Sequence, residues 1–74
     1  MIETVIKLIQ ELVNYFDVLN VGYNLRTHEI WVEIYGNIDI GTFMEIVEVV
    51  KKYIRGIFVK AEKSTLKLYG IVKG

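Results

Sequence analysis

Few side chains in this sequence could act as an acid, a base or a nucleophile. His28 is the only imidazole among the 74 residues, and the chain has no cysteine. Glu29 and Glu33 would share one face of a strand, but four residues along a strand span about 13 Å, which is too far for joint metal ligation or for a carboxylate pair around a glycosidic bond. We therefore interpret His28 as a solvated turn residue, and we predict no enzymatic activity, no metal site and no cofactor.

Two glycines, Gly36 and Gly41, flank a predicted connection between a strand and a helix, which is where some folds bind phosphate. The chain contains neither of the glycine-rich strings that characterise such loops, Gly-x-x-x-x-Gly-Lys and Gly-x-Gly-x-x-Gly. A phosphate-binding loop is therefore unsupported, and non-covalent binding is the chemistry that remains.

Aromatic and basic residues at alternating positions are suited to such binding. From Glu29 to Gly36, Trp31 and Tyr35 alternate with aliphatic residues, as in a strand with one buried face and one exposed face. The segment near residues 57–72 repeats this arrangement with aromatic and lysine side chains. The predicted exposed face carries six candidate interface or binding residues: Trp31, Tyr35, Phe58, Lys60, Lys67 and Tyr69.

Two amphipathic helices would lie on the other side of these strands. Apolar residues recur at helical spacing near residues 2–16 and 42–55. The second helix would start at a capping box from Thr42, with Asp39 as an alternative cap, and would end at Gly56. The predicted buried stripe of the first helix, with Leu8 at its margin, is Ile2, Val5, Ile6, Ile9, Leu12, Val13 and Phe16.

Two hairpins complete the predicted fold. In the first, near residues 18–36, a two-residue turn at Thr27-His28 would place Leu25 opposite Ile30. This turn lacks the glycine or asparagine that short hairpin turns favour, so a longer loop is an alternative. In the second, a turn at Lys63-Ser64 would again put the apolar residues on one face of the sheet.

The sequence contains the same pattern twice. A shift of 38 residues aligns the apolar positions of the first helix with those of the second, and a shift of 36 residues aligns Ile30 with Leu66. We therefore predict a single domain, residues 1–74, made of the αββ pseudo-repeats 1–36 and 37–74. The predicted fold class is two-layer α+β, with a four-stranded antiparallel sheet and both helices on one face.

Charge and composition bear on partners and location. The net charge is zero, but residues 1–50 carry two basic and eight acidic side chains, a balance of −6, and residues 51–74 carry seven basic and one acidic, a balance of +6. Such asymmetry is typical of nucleic-acid binding or of complementary self-association. No apolar run reaches the ~20 residues of a membrane span, so we expect a cytoplasmic protein that does not enter the membrane. The absence of cysteine and proline is compatible with a thermophilic source.

Two functions from different classes are consistent with these features. Hydrophobic residues make up 53% of the chain, above the roughly 45–50% of ordinary domains. We therefore predict a non-enzymatic interaction module that self-associates, as a homodimer or another homo-oligomer, through the exposed sheet face or a strand edge. The alternative is single-stranded nucleic acid, or another anionic ligand, bound on the same face, because Lys60 would lie opposite Lys67 among aromatic rings.

Overall fold

The computed structural model describes residues 2–74 and has the predicted two-layer α+β architecture. Two helices cover one face of a four-stranded antiparallel sheet, and the order of the elements repeats an αββ pattern. Within residues 2–74, neither helix is long and apolar enough to cross a membrane. The elements are α1 (Ile2–Leu12), β1 (Val18–Tyr23), β2 (Glu29–Tyr35), α2 (Ile40–Lys51), β3 (Ile54–Ala61) and β4 (Thr65–Val72).

The second strand of each hairpin lies at the centre of the sheet. The strand order is β1-β2-β4-β3, so β2 and β4 pair with each other and β1 and β3 form the two edges. In the central pair Val32 lies opposite Leu68. The 36-residue shift aligns Val32 of the first repeat with Leu68 of the second. Because these equivalent residues also lie opposite each other, the pseudo-two-fold axis that relates the two αββ units passes between them.

A β-bulge occurs at the same place in both edge strands. The register of β1 shifts between Val18 and Asn20, and that of β3 shifts between Arg55 and Phe58. These segments correspond under the 38-residue shift, so the repeat extends to an irregularity of the sheet. In β3 the bulge contains Gly56, whose φ of 66° lies in the left-handed region that favours glycine. Gly56 therefore belongs to a strand and does not end the second helix as predicted.

One hydrophobic core lies between the helices and the sheet. Three of its residues come from α1, two from α2 and six from the strands, and no polar or charged side chain of the described residues is buried. The predicted inner face of β2 is confirmed, because its alternating aliphatic residues all belong to this core. The core consists of Val5, Leu8, Leu12, Ile30, Val32, Ile34, Ile46, Val50, Ile54, Leu68 and Val72.

The first helix ends earlier than predicted and turns a different side to the sheet. It ends at Leu12 rather than near residue 16, and Leu8, which was predicted at the margin of the stripe, is fully buried. Val5 and Leu12 belong to both sets, so the buried side is rotated from the centre of the predicted stripe by somewhat less than the ~100° that separates consecutive helix residues. Five residues of that stripe are exposed instead: Ile2, Ile6, Ile9, Val13 and Phe16.

The second helix begins at Ile40, after the alternative cap predicted at Asp39, and ends earlier than predicted. Its N-cap is Asp39, whose carboxylate accepts hydrogen bonds from the backbone N–H of Thr42 at 2.9 Å and from its hydroxyl at 2.8 Å. These bonds hold the pKa of the Asp39 carboxyl below its ordinary value. The helix ends at Lys51, so Ile54, predicted as a helix residue, is the buried first residue of β3.

The register was predicted correctly for one hairpin only. In the second hairpin Lys60 lies opposite Lys67, as predicted. In the first, the alternative of a longer loop is the one observed: the connection is five residues long, so Tyr23 rather than Leu25 lies opposite Ile30.

A shift of two residues leaves side chains on the same face of the sheet, so the predicted inner positions of Val21 and Tyr23 remain correct. The predicted inner position of Leu19 is wrong, because the bulge places Val18 opposite Ile34 and leaves Leu19 55% exposed.

The Glu11 carboxylate joins the two repeats on the helical side of the molecule. It accepts a hydrogen bond from the Tyr53 hydroxyl and lies 3.0 Å from Lys52 Nζ. Tyr53 and Lys52, in that order of effect, lower the pKa of Glu11 from its ordinary value of 4.5. The same hydrogen bonds raise the pKa values of Lys52 and Tyr53. The interaction therefore links the end of α1 to the segment between α2 and β3.

Val32→Asp should be severely destabilising. It would place a carboxylate at a fully buried position among apolar side chains, and we expect a loss of about 3 kcal/mol or more. Urea unfolding followed by fluorescence measures the change. The same substitution at Val59, which is 54% exposed on an edge strand, is the control and should cost about 1 kcal/mol or less. Equal losses at the two positions would contradict the sheet register.

The fold should lose stability in acid through Glu11 and Asp39. Both carboxyl groups have lowered pKa values in the folded protein because they accept hydrogen bonds. Such a group stabilises the fold fully above its unfolded pKa of about 4, and this stabilisation is lost as the pH falls through the lower folded pKa. The midpoint of thermal unfolding should therefore fall on acidification, and less steeply in Glu11→Gln. Parallel curves for the variant and the wild type would contradict the role of Glu11.

Candidate functional site

The outer sheet face, which is the face turned away from the helices, carries two rows of residues that cross all four strands. Cross-strand pairing places each member beside the next. The aromatic row, in the order β1, β2, β4 and β3, is Gly22, Trp31, Tyr69 and Phe58. The polar row beside it is Asn20, Glu33, Lys67 and Lys60. Five of the six predicted candidate residues therefore lie together.

Ring stacking and a cation–π contact organise the aromatic row. The rings of Phe58 and Tyr69 stack with centroids 5.6 Å apart and planes inclined by 27°, within the range of favourable aromatic pairs. Lys67 Nζ lies 5.3 Å from the centroid of the Trp31 ring, close enough for attraction to the ring face. Phe58 is 62% exposed, so one ring of the stack remains open to solvent.

The indole of Trp31 is half-buried because it lies over Gly22 on the edge strand. A Cβ added to Gly22 would overlap the indole atoms Cε2, Cζ2 and Nε1. Because Gly22 has no side chain, the indole can lie directly on the surface of the sheet, as is common where a sheet glycine neighbours an aromatic residue. The outward direction of Trp31 agrees with the sequence, whereas its partial burial was not predicted.

Tyr35 is the one candidate residue outside this cluster. It lies opposite Thr65 and is four residues from Trp31 along β2, a distance of about 13 Å. Its hydroxyl accepts a hydrogen bond from Asn37 Nδ2 at 3.1 Å. Tyr35 thus shares the outer face but interacts with the connection to α2 and not with the aromatic row.

The lysines of the polar row are not neutralised by ion pairs. Lys60 and Lys67 lie directly opposite each other, and like charges opposite each other in a ladder are destabilising. Glu33, which lies opposite Lys67, accepts a hydrogen bond from Asn20 at 3.4 Å. The ion pairs within residues 2–74 are on the helical side and are Lys51–Glu48 and Lys52–Glu11. An anion between the two lysines would therefore relieve their repulsion.

His28, interpreted as a solvated turn residue, is instead half-buried and structural. Its Nδ1 lies 3.1 Å from the Tyr23 hydroxyl, and its φ of 60° is left-handed. The Asn24 side chain accepts a hydrogen bond from the backbone N–H of Arg26 at 2.9 Å in the same turn. Within the described part of the chain, no three His, Asp or Glu side chains are grouped so that they could hold a metal ion.

The residues of a second surface, at one edge of the molecule, were not predicted from the sequence, although a strand edge was one of the two expected interfaces. Four of its residues, at spacing i, i+4, i+7 and i+11, follow one side of α1 and the turn after it. We call it the α1–β1 surface, and it consists of Ile2, Ile6, Ile9, Val13, Phe16 and Leu19, each at least 43% exposed. The signal in the sequence is that apolar residues occupy more of the first helix than one contact with a sheet can cover.

The α1–β1 surface borders a groove between the helix and the edge strand. This groove has a volume of about 220 Å³ and is lined by residues without charge, among them Val13 and Leu19. The pseudo-two-fold axis relates it to a groove of about 580 Å³ between α2 and β3, where Lys51 takes the place of Val13. Arg55 and Lys73 also line the second groove. The molecule therefore has one neutral apolar edge and one basic edge.

Phe16 departs most clearly from the internal symmetry. Its counterpart under the 38-residue shift, Ile54, is 2% exposed in the core, whereas Phe16 is fully exposed in the connection between α1 and β1. An aromatic side chain carries a large apolar area, so its burial against another surface would be favourable. Phe16 therefore presents a large apolar area to solvent.

The fold defines the chain as a small two-layer α+β domain with an internal repeat. No protein-family model matches it, and no curated protein and no solved structure matches it significantly.

Replacing Gly22 should displace the indole of Trp31. Gly22→Val places a side chain in the space that the indole occupies, so the ring should move into solvent while the core stays intact. Since Trp31 is the only tryptophan, we expect a red-shifted fluorescence maximum with unchanged circular dichroism. Gly41→Ala is the control, because only Asp39 lies near the added atom. An unchanged emission maximum in Gly22→Val would contradict the contact.

Proposed function

We propose that the protein is a self-associating interaction module and that two copies form a homodimer through their α1–β1 surfaces. The observation that carries the proposal is the set of exposed large apolar side chains at this one edge. A domain of this size buries only about 60% of the surface of its unfolded chain and is marginally stable alone. Covering the α1–β1 surface would add apolar burial that the single chain lacks.

The backbone of β1 is available for pairing. As an edge strand, β1 has a neighbouring strand on one side only, and its sequence Val-Leu-Asn-Val-Gly-Tyr contains neither a charged residue nor a proline. Edge strands that remain unpaired are usually protected by lysine, by proline or by a bulge. Both edges of this sheet have a bulge, so charge is the protection that distinguishes them.

The opposite edge, β3, has the charged protection that β1 lacks. Arg55 and Lys60 lie in the strand, and Lys51 lines the groove beside it. Because α2 also exposes Ile40 and Met44, charge and not apolar character alone separates the two edges. A two-fold contact between two β3 strands would bring these cations towards their own copies, which is unfavourable. A self-complementary contact is therefore expected at β1.

A two-fold axis perpendicular to the sheet would make this contact self-complementary. Antiparallel pairing of β1 with its copy would continue the sheet from one chain into the other. The apolar side of α1 would then pack beside the α1 helix of the partner, as α1 lies beside α2 within one chain. Phe16 and Leu19, on either side of the start of β1, are expected to be central contacts.

The sequence suggests either the outer sheet face or a strand edge as the interface. We propose the edge. On the outer face Trp31 and Tyr69 are half-buried within the aromatic row, and Lys60 and Lys67 would have to be desolvated in a contact between copies. The groove of the α1–β1 surface has no charged lining. A cytoplasmic location and a thermophilic source, both expected from the sequence, stay predictions.

Leu19→Lys should dissociate the dimer, whereas Val59→Lys should not. Both residues are aliphatic, lie on edge strands and are 55% and 54% exposed. Val59 borders the groove that contains Lys51 and Arg55, so Val59→Lys should perturb the single chain at least as much as Leu19→Lys and is a strict control. A lysine inside the interface would be desolvated without a partner, and we expect the dimer affinity to fall at least tenfold, or about 1.4 kcal/mol. Sedimentation equilibrium at micromolar concentrations measures the mass of each variant.

Two results would contradict the proposal. A wild-type protein with the mass of one chain throughout the micromolar range would exclude the dimer. Dissociation by Val59→Lys, together with an unchanged mass for Leu19→Lys, would move the interface to the opposite edge. Circular dichroism of both variants confirms that a change in mass is not a consequence of unfolding.

A further inference from the structure

We infer that the outer sheet face is a separate binding site for single-stranded nucleic acid, formed by the aromatic row and the two lysines beside it. This site shares no residue with the α1–β1 surface, so it does not depend on the proposed dimer. Proteins that bind single strands combine rings on which bases stack with cations that contact the phosphates. Both components are present here on one uncovered sheet face.

The internal repeat indicates that the fold does not require these aromatic side chains. When the two repeats are aligned, the 38-residue shift makes Phe58 equivalent to Asn20, and the 36-residue shift makes Tyr69 equivalent to Glu33. The corresponding residues occupy equivalent positions in the sheet, yet one half has polar side chains where the other has aromatic rings. The inner face, in contrast, is apolar in both halves. The aromatic row therefore needs an explanation outside the packing of the domain.

The rings are arranged so that bases can reach them. Phe58 stacks on Tyr69 and is 62% exposed, which leaves its ring open to an incoming base. Trp31, Tyr69 and Phe58 lie on three neighbouring strands and therefore span two interstrand spacings, about 10 Å. Sheet platforms of this kind stack two or three bases.

The lysines provide the matching contacts for phosphates. Lys60 and Lys67 lie directly opposite each other, and a phosphate between them would neutralise their repulsion. Lys67 Nζ is held over the Trp31 ring and not by a carboxylate, so it can move to a phosphate when a base occupies the ring. Glu33 lies on β2 and would repel a phosphate, so we expect the strand of nucleic acid to run over β4 and β3, which carry the two lysines.

Fluorescence anisotropy with labelled oligonucleotides of about ten nucleotides, poly-dT and poly-U, tests the site at low salt. We expect Phe58→Ala to weaken binding by about 5- to 140-fold, the range that corresponds to the loss of one stacked base. Tyr35→Ala is the matched control, because Tyr35 is an exposed ring on the same face outside the row, and it should bind like the wild type. A duplex of the same length should bind at least tenfold more weakly, since its bases are already stacked.

Salt dependence tests the lysines separately. Each phosphate neutralised on a single strand adds about 0.7 to the negative slope of log affinity against log salt. Because Lys60 and Lys67 share one phosphate, replacing both lysines by glutamine should reduce the slope by about 0.7. Absence of binding at tens of micromolar protein would overturn the inference, as would equal losses in Phe58→Ala and Tyr35→Ala. Equal binding of duplex would do the same. Dissociation of the wild-type oligomer by Phe58→Ala would show that the aromatic row is a subunit interface and not a nucleic-acid site.

Discussion

The antiparallel pairing of β2 with β4 is the contact on which the rest of the structure depends. One αββ unit cannot cover its own apolar face, and the pairing joins two such units through the fully buried Val32 and Leu68. The resulting pseudo-two-fold axis places α1 beside α2, where Glu11 reaches Lys52 and Tyr53. It also leaves β1 and β3 as the edges of the sheet, and so determines which strands remain available to a partner.

The element types, the repeat and the faces of the strands could be predicted because they depend only on periodicity. The register of the first hairpin could not, since alternation does not distinguish registers that differ by two residues. That register is set by interactions inside the turn. The Asn24 side chain accepts a hydrogen bond from the backbone of Arg26, and His28 adopts a left-handed φ of 60°. Neither feature leaves a periodic signal in the sequence.

The candidate site was predicted in part for a related reason. Alternation fixes the direction of a strand side chain, so five outer-face candidates from three strands were found together. A helix that is apolar on much of its circumference does not reveal which side will meet the sheet. Phe16 and Ile54 align in the repeat and both follow the end of a helix, but β1 begins only at Val18, which leaves Phe16 exposed in the connection, whereas β3 begins at Ile54, which enters the core. The α1–β1 surface is a product of this tertiary difference.

Both proposals rest on positions where the two repeats differ, and the differences are distributed in a consistent way. Apolar, uncharged residues distinguish the edge formed by the first repeat, and cations distinguish the edge and the outer face of the second hairpin. Pairing of two copies through β1 would keep both basic hairpins at the far ends of one continuous sheet, away from each other. The two aromatic rows would then lie on the same outer face, with the Gly22 end of each row nearest the axis. A dimer of this form would bring two binding rows together without covering either, and linked sites of this kind raise the effective concentration of the second contact.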